Sequence, residues 1–482
     1  MAHYAARVQS RHHSADAVTV EILTAAESLD AQRRAAGWLL AHGCRPGDRV
    51  AFCLGSSAAL VSAVLGAARV GLIPVLLNAT LTEVERDRLI DDADPTVQVL
   101  DTAALAGLSD GTLAELAPFP LTRAMHYTSG TTGRPKGVTT GLWDESTARS
   151  VFEDEASVWH FAPDDVHMVC SPMYHTVSIR FSAGTLLSGG SLVILGRFDA
   201  ATALDVLRRV RPTTTFLVPT HLQRILGLPE LGADERFDSL RFLAHAGAPC
   251  PPSLKRAVMA RVDPGQVWEF YGSTEAQFTL CGPEEWLEHP GTVGRARAGR
   301  CLSIRPLDDV VGNSNEDGSG TVWCAMPPFA RFSYWGDDEA TRQAWDGDAC
   351  TVGDVGKLDE DGYLYLTGRR HDLIISGGVN VYPAEVEAVL SEVPGVHEVA
   401  VFGVADEAWG QRVCAAFVAA PDVREEDLRA AAHQRLAPYK RPKEYHATAA
   451  LPHTATGKLV RRDVAAGLGL AAPAGGDGAP GG

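Results

Sequence analysis

The sequence lacks the features that identify several large classes of protein. Its nine cysteines stand singly, without a CxxC pair, so they indicate neither a structural zinc site nor a disulfide framework. Residues 1–16 contain no apolar stretch of the kind found in a secretory signal. Buried free thiols in a reducing compartment are the simplest interpretation of the cysteines.

Long hydrophobic runs and excess positive charge are also missing. The most apolar stretch, residues 60–77, is interrupted by Arg69, Gly71 and Pro74, which predicts a buried helix followed by a strand rather than a membrane span. A formal net charge of −17 argues against a basic surface for nucleic acid. We therefore expect a soluble, cytoplasmic protein without a nucleic-acid partner or a membrane span.

The chain is long enough to need more than one hydrophobic core. Its 482 residues predict two or three domains. Helical patterns alternate with short β-branched runs, which predicts parallel α/β sheets. The clearest pairs of predicted helix and strand are 27–42 with 49–54, 57–69 with 72–77, 203–210 with 214–218, and 252–261 with 267–270.

The pattern changes twice towards the C-terminus. Short alternating strands at 318–325 and 362–367 predict a β-subdomain, and elements at 384–391, 396–404, 413–419 and 425–435 predict a compact α+β unit. We therefore predict an α/β fold with three parts. These are an N-terminal domain of stacked α/β sheets plus the β-subdomain (1–369), a smaller mobile α+β domain (370–465) and a disordered Ala/Gly/Pro-rich tail (466–482).

The strongest local signal is YTSGTTGRPKGV at residues 127–138. Three glycines let the backbone turn tightly, and four hydroxyls and two cations stand among them, a combination that suits a polyphosphate. The segment matches neither the Walker A pattern nor GxGxxG. A flexible surface loop is the alternative. The candidate phosphate ligands are Thr128, Ser129, Gly130, Thr131, Thr132, Gly133 and Lys136.

This segment resembles the phosphate loop of the adenylate-forming superfamily, which includes acyl-CoA synthetases, peptide-synthetase adenylation domains and luciferases. Further motifs similar to that family follow in its order, over about residues 20 to 465. The resemblance implies an enzyme that uses MgATP to convert a carboxylic acid into an acyl-adenylate with release of pyrophosphate. The acyl group then passes to a thiol, and the acyl-CoA synthetase branch implies coenzyme A.

Two segments resemble the family's acyl and adenine sites. In PMYH at 172–175, the resemblance makes His175 a gate of the carboxylate site, whereas the residue alone would predict an ordinary core histidine. Gly247, Ala248 and Pro249 resemble the small-residue turn on which adenine and the acyl group lie.

The motif YGSTE at 271–275 is the second strong match. By resemblance, Tyr271 stacks on adenine, Thr274 bonds the α-phosphate and Glu275 ligates Mg²⁺, with Gly272 and Ser273 in the same nucleotide turn. A carboxylate oxygen is the type of ligand that this hard cation prefers.

A third block closes the predicted N-terminal domain. Asp354 is suited to accept the ribose hydroxyls, with a turn residue as the alternative. By resemblance, Arg369 contacts the ribose or a phosphate. His371 occupies the hinge position, where the family usually has Asp or Lys; a pH-sensitive pivot and a solvent-facing side chain both remain open.

The predicted C-terminal domain carries the remaining motifs. Residues 375–387 resemble the segment that builds the thioester site, in which Gly377 and Gly378 would let the pantetheine arm pass close to the backbone. Tyr382 lies in the same segment. Rotation of this domain about its hinge would exchange the adenylation and thioester sites.

Two lysines follow in this domain. Lys440, in the basic cluster YKRPK at 439–443, is a candidate ligand for the CoA phosphates, and a solvated charged face is the alternative. Lys458 matches the family's catalytic lysine, because a cation is needed where an attacking carboxylate meets the anionic α-phosphate.

The identity of the acid and the acceptor stays open. Arg180, five residues after His175, is a candidate partner for a second carboxylate or polar group of the substrate, although a helix-face arginine reaching water is preferred. The acceptor could be a carrier-protein thiol, an amine or another nucleophile. A thioesterification-only enzyme and a non-catalytic nucleotide-binding regulator are further alternatives, against which intact Glu275 and Lys458 argue.

Overall fold

The structure is a computed structural model. It describes residues 18–128, 135–306, 318–369, 374–376, 379–381, 383–406, 410–436, 438–453 and 459–470. The helices are α1 (Ala25–Ala41), α2 (Ala58–Arg69), α3 (Glu83–Ala93), α4 (Thr102–Gly107), α5 (Glu145–Trp159), α6 (Thr176–Leu187), α7 (Ala200–Arg209), α8 (Pro219–Leu226), α9 (Pro252–Met259), α10 (Pro283–Glu288), α11 (Asp338–Ala344), α12 (Pro383–Leu390), α13 (Glu425–Arg435) and α14 (Arg461–Gly467).

The strands range from two to eleven residues in length. They are β1 (Val20–Thr24), β2 (Arg49–Phe52), β3 (Ile73–Leu76), β4 (Val97–Val99), β5 (Met125–Thr128), β6 (Lys136–Thr139), β7 (Val166–Val169), β8 (Ser191–Leu195), β9 (Thr214–Leu217), β10 (Phe242–His245), β11 (Val267–Glu269), β12 (Thr279–Leu280), β13 (Arg295–Ala296), β14 (Cys301–Arg305), β15 (Gly320–Ala325), β16 (Ser333–Tyr334), β17 (Trp345–Asp346), β18 (Ala349–Cys350), β19 (Asp354–Leu358), β20 (Leu364–Arg369), β21 (Ile374–Ser376), β22 (Val379–Val381), β23 (Val396–Asp406), β24 (Gly410–Ala419) and β25 (Glu444–Ala447).

Two mainly parallel sheets form the body of the N-terminal part. One has the order β1-β8-β7-β9-β10-β11, in which β1 is antiparallel to β8 and the other pairs are parallel. The other has the order β16-β6-β5-β3-β2-β4, with parallel pairing from β5 to β4 and antiparallel pairing at β6 and β16. Helices α1 and α2 pack with apolar residues of both sheets in one core, as alternating strands and helices require.

Antiparallel strands dominate the rest of the chain. Strands β14, β15 and β17 to β20 form a six-stranded sheet, and β12 pairs with β13. Strands β21 to β25 form a separate five-stranded sheet covered by α12 and α13, with its own apolar core. The α/β fold class predicted from the sequence is confirmed, whereas the three domain limits stay predictions.

Helix caps explain where the sequence-based boundaries were inaccurate. The helix predicted at 203–210 begins at Ala200, because the Asp199 side chain accepts a hydrogen bond from the Thr202 amide at 2.8 Å. Helix α1 likewise begins at a capping box between Thr24 and Glu27, two residues before its predicted start.

The structure bears on the expectations about the cysteines and about a membrane span. All nine cysteines are free thiols; seven are buried, Cys250 is half-buried and Cys301 is exposed. Within the described ranges, none of the helices combines the length and apolar character that crossing a bilayer requires.

Candidate active site

The residues that flank the predicted phosphate loop belong to two paired antiparallel strands. Thr128 ends β5 and pairs with Lys136, the first residue of β6, and its hydroxyl donates to the Lys136 carbonyl oxygen at 3.4 Å. Lys136 Nζ lies 3.9 Å from Asp337 Oδ2 and 5.0 Å from the ring centre of Tyr334. Candidates Ser129, Gly130, Thr131, Thr132 and Gly133 lie outside the described residues.

Glu275 is brought close to these two strands by a tyrosine that the motif analysis missed. The Tyr334 hydroxyl donates to Glu275 Oε1 at 2.9 Å, and the Glu275 side chain is buried. Burial and the neighbouring carboxylate raise the pKa of Tyr334, so this phenol stays a donor. Within the described ranges, Glu275 Oε2 has no hydrogen-bond donor. The aromatic segment FSYW at 332–335 is the sequence signal that could have identified Tyr334.

The turn that carries Glu275 is closed by its own backbone. The Ser273 amide donates to the Ala276 carbonyl oxygen at 2.8 Å, and the Glu275 amide donates to Ser273 Oγ at 3.2 Å. At Gly272 a Cβ atom would stand 2.5 Å from the Ala276 carbonyl oxygen, so this position requires glycine. Thr274 lies at the apex of the same turn, between these fixed neighbours.

Tyr271 and Asp354, which are far apart in sequence, are joined directly. The Tyr271 hydroxyl donates to Asp354 Oδ2 at 2.5 Å, and both side chains are buried. Asp354 begins β19 and is paired with Arg369 of β20, so the alternative that it is only a turn residue is wrong. The Arg369 side chain lies outside the described part of the structure.

The small-residue turn follows the neighbouring strand end. Gly247 has φ +89°, a left-handed conformation that favours glycine, and it leads into Ala248 and Pro249 directly after β10. Because β10 is parallel to β11, this turn and Tyr271 leave the sheet at the same edge. Such an edge of a parallel sheet is where ligands generally bind in α/β proteins.

A buried ion pair fixes these two strand ends. Lys255 of α9, fully buried, donates from Nζ to Glu269 Oε2 at 2.6 Å, and His245 Nε2 lies 3.8 Å from the same oxygen. Burial raises the pKa of Glu269 and lowers that of His245, which therefore stays neutral. The motifs gave no indication of this group, which holds β10, β11 and α9 together beneath the two turns.

His175 stands at the start of α6, as its N-cap residue. Its ring is tilted against that of Tyr174, with centroids 4.5 Å apart. The Tyr174 carbonyl oxygen lies 2.8 Å from His126 Nδ1. Burial lowers the pKa of His126 to about 4, so the neutral ring donates from Nδ1 to that carbonyl and holds the backbone beside His175.

Arg180 is largely buried and paired with an acidic residue, so the preferred interpretation of a helix-face arginine extending into water was wrong. Its side chain is 16% exposed, and its Nε lies 3.0 Å from Glu155 Oε2 of α5. The guanidinium lies between 5.1 and 5.9 Å from the ring centres of Phe270, Phe181 and Trp159. Arg180 therefore lies in an aromatic cluster adjoining Tyr271.

The C-terminal candidates are only partly described. Lys440 Nζ donates to Glu385 Oε1 at 2.5 Å, so an acidic partner already neutralises part of the basic cluster. The hinge, thioester and catalytic candidates lie outside the described residues, and their roles stay predictions: His371, Gly377, Gly378, Tyr382 and Lys458.

Two family profiles match the chain. The AMP-binding enzyme profile matches residues 5–118 and 122–332, and the profile of the AMP-binding enzyme C-terminal domain matches 385–458. The chain therefore belongs to the AMP-binding enzyme family. It is an adenylate-forming enzyme of the acyl-CoA ligase branch, an ATP-dependent acid–thiol ligase, as the sequence motifs implied.

Individual relatives span almost the whole chain. The long-chain-fatty-acid–CoA ligase FadD13 of Mycobacterium tuberculosis is 32% identical over 91% of this chain and 92% of its own length. The structure of o-succinylbenzoate CoA synthetase MenE of Bacillus subtilis with the acyl-adenylate intermediate OSB-AMP has TM-score 0.78 and 29% identity, covering 91% and 92%. Amide bond synthetase McbA of Marinactinospora thermotolerans has TM-score 0.78 and 28% identity, covering 92% and 94%.

Proposed function

We propose that Tyr271, Asp354, Glu275, Tyr334 and Lys136 form the nucleotide site in which this enzyme converts a carboxylic acid into an acyl-adenylate. The observation that supports this most is that two hydrogen bonds, Tyr271 to Asp354 and Tyr334 to Glu275, join separate motifs at one edge of the sheets. The Tyr334 phenol that donates to Glu275 is neutral, so this bond orients the carboxylate without cancelling its charge, which stays available for a cation.

The roles follow from the chemistry of each group. Asp354 accepts the ribose hydroxyls beside Tyr271, and Lys136 with the loop at 129–134 binds the leaving pyrophosphate. A carboxylate oxygen of the acid attacks the α-phosphorus, and the bond to the pyrophosphate oxygen breaks. Lys458 stabilises the negative charge that accumulates in this step.

The residues present fit a magnesium ion. Glu275 is a buried carboxylate, and among the described residues one of its oxygens has no hydrogen-bond donor. Glu275 would hold the ion, which supplies positive charge against the pyrophosphate when bound. Tyr334 orients the carboxylate by occupying its other oxygen.

The second step transfers the acyl group from AMP to the sulfur of CoA, with loss of the thiol proton. The matching relatives include a fatty-acid–CoA ligase and a succinylbenzoate CoA synthetase, which supports CoA as the acceptor. The similarity to an amide bond synthetase keeps an amine acceptor as the second candidate. Location in the cytoplasm and a carrier-protein acceptor stay untested predictions.

The first test is exchange of labelled pyrophosphate into ATP with a panel of carboxylic acids, before CoA is added. We expect exchange with some acids and its loss in Lys458→Ala. Addition of CoA or of amines to the best acid then identifies the acceptor from the thioester or amide that accumulates. Measurable ATP binding without exchange for any acid would contradict the proposed adenylation.

A further inference from the structure

Arg180 belongs to a buried group of charges beside the proposed acyl site. We call this group the arginine cluster: Arg180, Arg297, Arg300, Asp154, Glu155 and Gln277. Arg180 Nη2 donates to Gln277 Oε1 at 2.8 Å, and Gln277 is five residues after Gly272 of the nucleotide turn. Gln277 therefore connects the cluster to the nucleotide turn.

Positive charge exceeds negative charge in the arginine cluster. Arg297 binds both carboxylates, Glu155 at 3.0 Å and Asp154 at 2.8 Å, and Arg300 binds Asp154 at 3.0 Å. Three guanidinium groups thus share two carboxylates. Arg123 is a fourth cation, close enough to lower the pKa of Glu155. The side chains of Arg297 and Arg300 are 1% and 4% exposed.

Among the terminal guanidinium nitrogens of the described cluster, Nη1 of Arg180 is the one with capacity for another anion. Arg180 shares Glu155 and Gln277 with Arg297, and within the described ranges its Nη1 has no acceptor. Burial lowers the pKa of Arg180 to about 10, still well above neutrality, so the group remains charged. A buried charge without a full counter-charge is costly, and a bound anion would remove that cost.

We propose that the acid activated by this enzyme carries a second carboxylate, which binds Arg180 at the end of the acyl site remote from the reacting carboxylate. This inference rests on the proposed function. Arg180 is five residues after His175 along α6, a distance of about 7.5 Å at the rise of an α-helix. Phe270, Phe181 and Trp159 are buried around the guanidinium and hold it in place, while the Arg180 side chain itself keeps 16% exposure through which an anion can reach it.

The test compares pairs of acids that differ only in the second carboxylate. Pyrophosphate exchange is measured with butanoate and succinate, hexanoate and adipate, octanoate and suberate, and benzoate and terephthalate. We expect one dicarboxylic acid to exceed its monocarboxylic counterpart in kcat/KM by about 30-fold or more, the range for a buried charge pair. This comparison uses the unmodified protein and does not depend on any variant folding.

Arg180→Leu should remove this preference by lowering kcat/KM for the dicarboxylic acid alone. Glu155 keeps Arg297 as a partner in this variant, so the substitution does not leave that carboxylate unpaired. Arg180→Lys should retain part of the preference, because it keeps the charge but loses the planar fork. Arg241→Leu is the matched control, since Arg241 pairs with buried Asp165 at the opposite end of β10 and should leave the selectivity unchanged.

Each outcome decides the inference. Equal or better exchange with monocarboxylic acids overturns it and leaves the proposed function standing. An equal fall in kcat/KM for both acids of a pair in Arg180→Leu also overturns the inference and leaves the proposed function standing, because the cluster would then have only a structural role. No exchange with any acid of either series, despite ATP binding, overturns both proposals.

Discussion

Glu275 and Asp354, which we call the nucleotide edge, and the arginine cluster both contain carboxylates that are wholly or largely buried, but the two regions pair those carboxylates differently. At the nucleotide edge, Glu275 and Asp354 accept hydrogen bonds from tyrosine hydroxyls. In the arginine cluster, Glu155 is bound by two guanidinium groups. A neutral donor orients a carboxylate and leaves its charge for a ligand, whereas a guanidinium cancels that charge. The first arrangement suits binding of a cation, and in the second the carboxylates hold the arginines in place.

The two regions also differ in how the chain builds them. The turn with Glu275 is closed by hydrogen bonds within five residues, so a short motif specifies it. The arginine cluster joins Glu155 to Arg297, 142 residues apart, and Arg180 to Gln277, 97 residues apart. Substitutions at the nucleotide edge should therefore affect catalysis, and substitutions in the cluster should affect stability or the choice of acid.

The largest effect on catalysis is expected for Glu275→Gln. The amide keeps the shape and the contact with Tyr334 but loses the charge, so pyrophosphate exchange should fall by about 10²–10³-fold, as for loss of one electrostatic group in an active site. Thermal melting should hardly change. Exposed Glu284→Gln is the matched control. Full exchange in Glu275→Gln would remove this residue from the proposed site.

The next effect is a loss of stability in Glu155→Gln. Arg180 and Arg297 would lose their common carboxylate, which should cost about 3 kcal/mol, the usual range when one partner of a buried pair is removed. Thermal melting should fall by several degrees while KM for ATP stays constant. The control is Glu153→Gln, an exposed carboxylate two residues away. A changed KM for ATP with unchanged melting would show that Glu155 affects nucleotide binding and not stability, contrary to this comparison of the two regions.

The pH dependence of melting gives a second test of the contribution of Glu155 to stability. Burial alone would raise the pKa of Glu155, but Arg180, Arg297 and Arg123 together lower it from 4.5 to about 2. A carboxylate with a lowered pKa stabilises the fold above its unfolded pKa, and that stability is lost as the pH falls towards the folded value. The difference in melting temperature between the parent protein and Glu155→Gln should therefore become smaller as the pH is lowered from 5 to 3.

A smaller effect is expected for Tyr271→Phe. The variant removes the 2.5 Å hydrogen bond to Asp354 and should raise KM for ATP by about tenfold, in the range for a bond to a charged group. Tyr365→Phe is the matched control, because its hydroxyl also donates to a carboxylate, Asp359, outside the proposed site. An unaltered KM for ATP would show that Asp354 does not need Tyr271 for orientation.

The smallest effect is expected for Tyr334→Phe. Loss of one hydrogen bond should lower exchange about fivefold and raise the Mg²⁺ concentration needed for half-maximal exchange. Tyr445→Phe, in the separate C-terminal sheet, should change neither quantity. A drop in exchange with an unchanged Mg²⁺ requirement would argue against Glu275 as the metal ligand.

Much of the fold and part of the site could be predicted before the structure. The element predicted at 425–435 is a helix with those bounds, and the strand–helix alternation from residue 49 to 77 is correct to within two residues. Local periodicity encodes such elements directly. Tyr334 and Glu155 were missed because neither lies in a recognisable motif, and Arg180 was misjudged because its spacing on α6 did not reveal Glu155 on α5.

The sequence by itself determined the family, the chemistry and the nucleotide turns, because glycines and hydroxyls at fixed spacing impose their geometry locally. Only the tertiary structure decided which carboxylates receive phenols and which receive guanidinium groups, since those partners come from segments that meet only when the sheets pack. It also decided that Arg180 is largely buried and paired rather than solvated. That placement turns an ordinary helix residue into the proposed ligand for a second carboxylate.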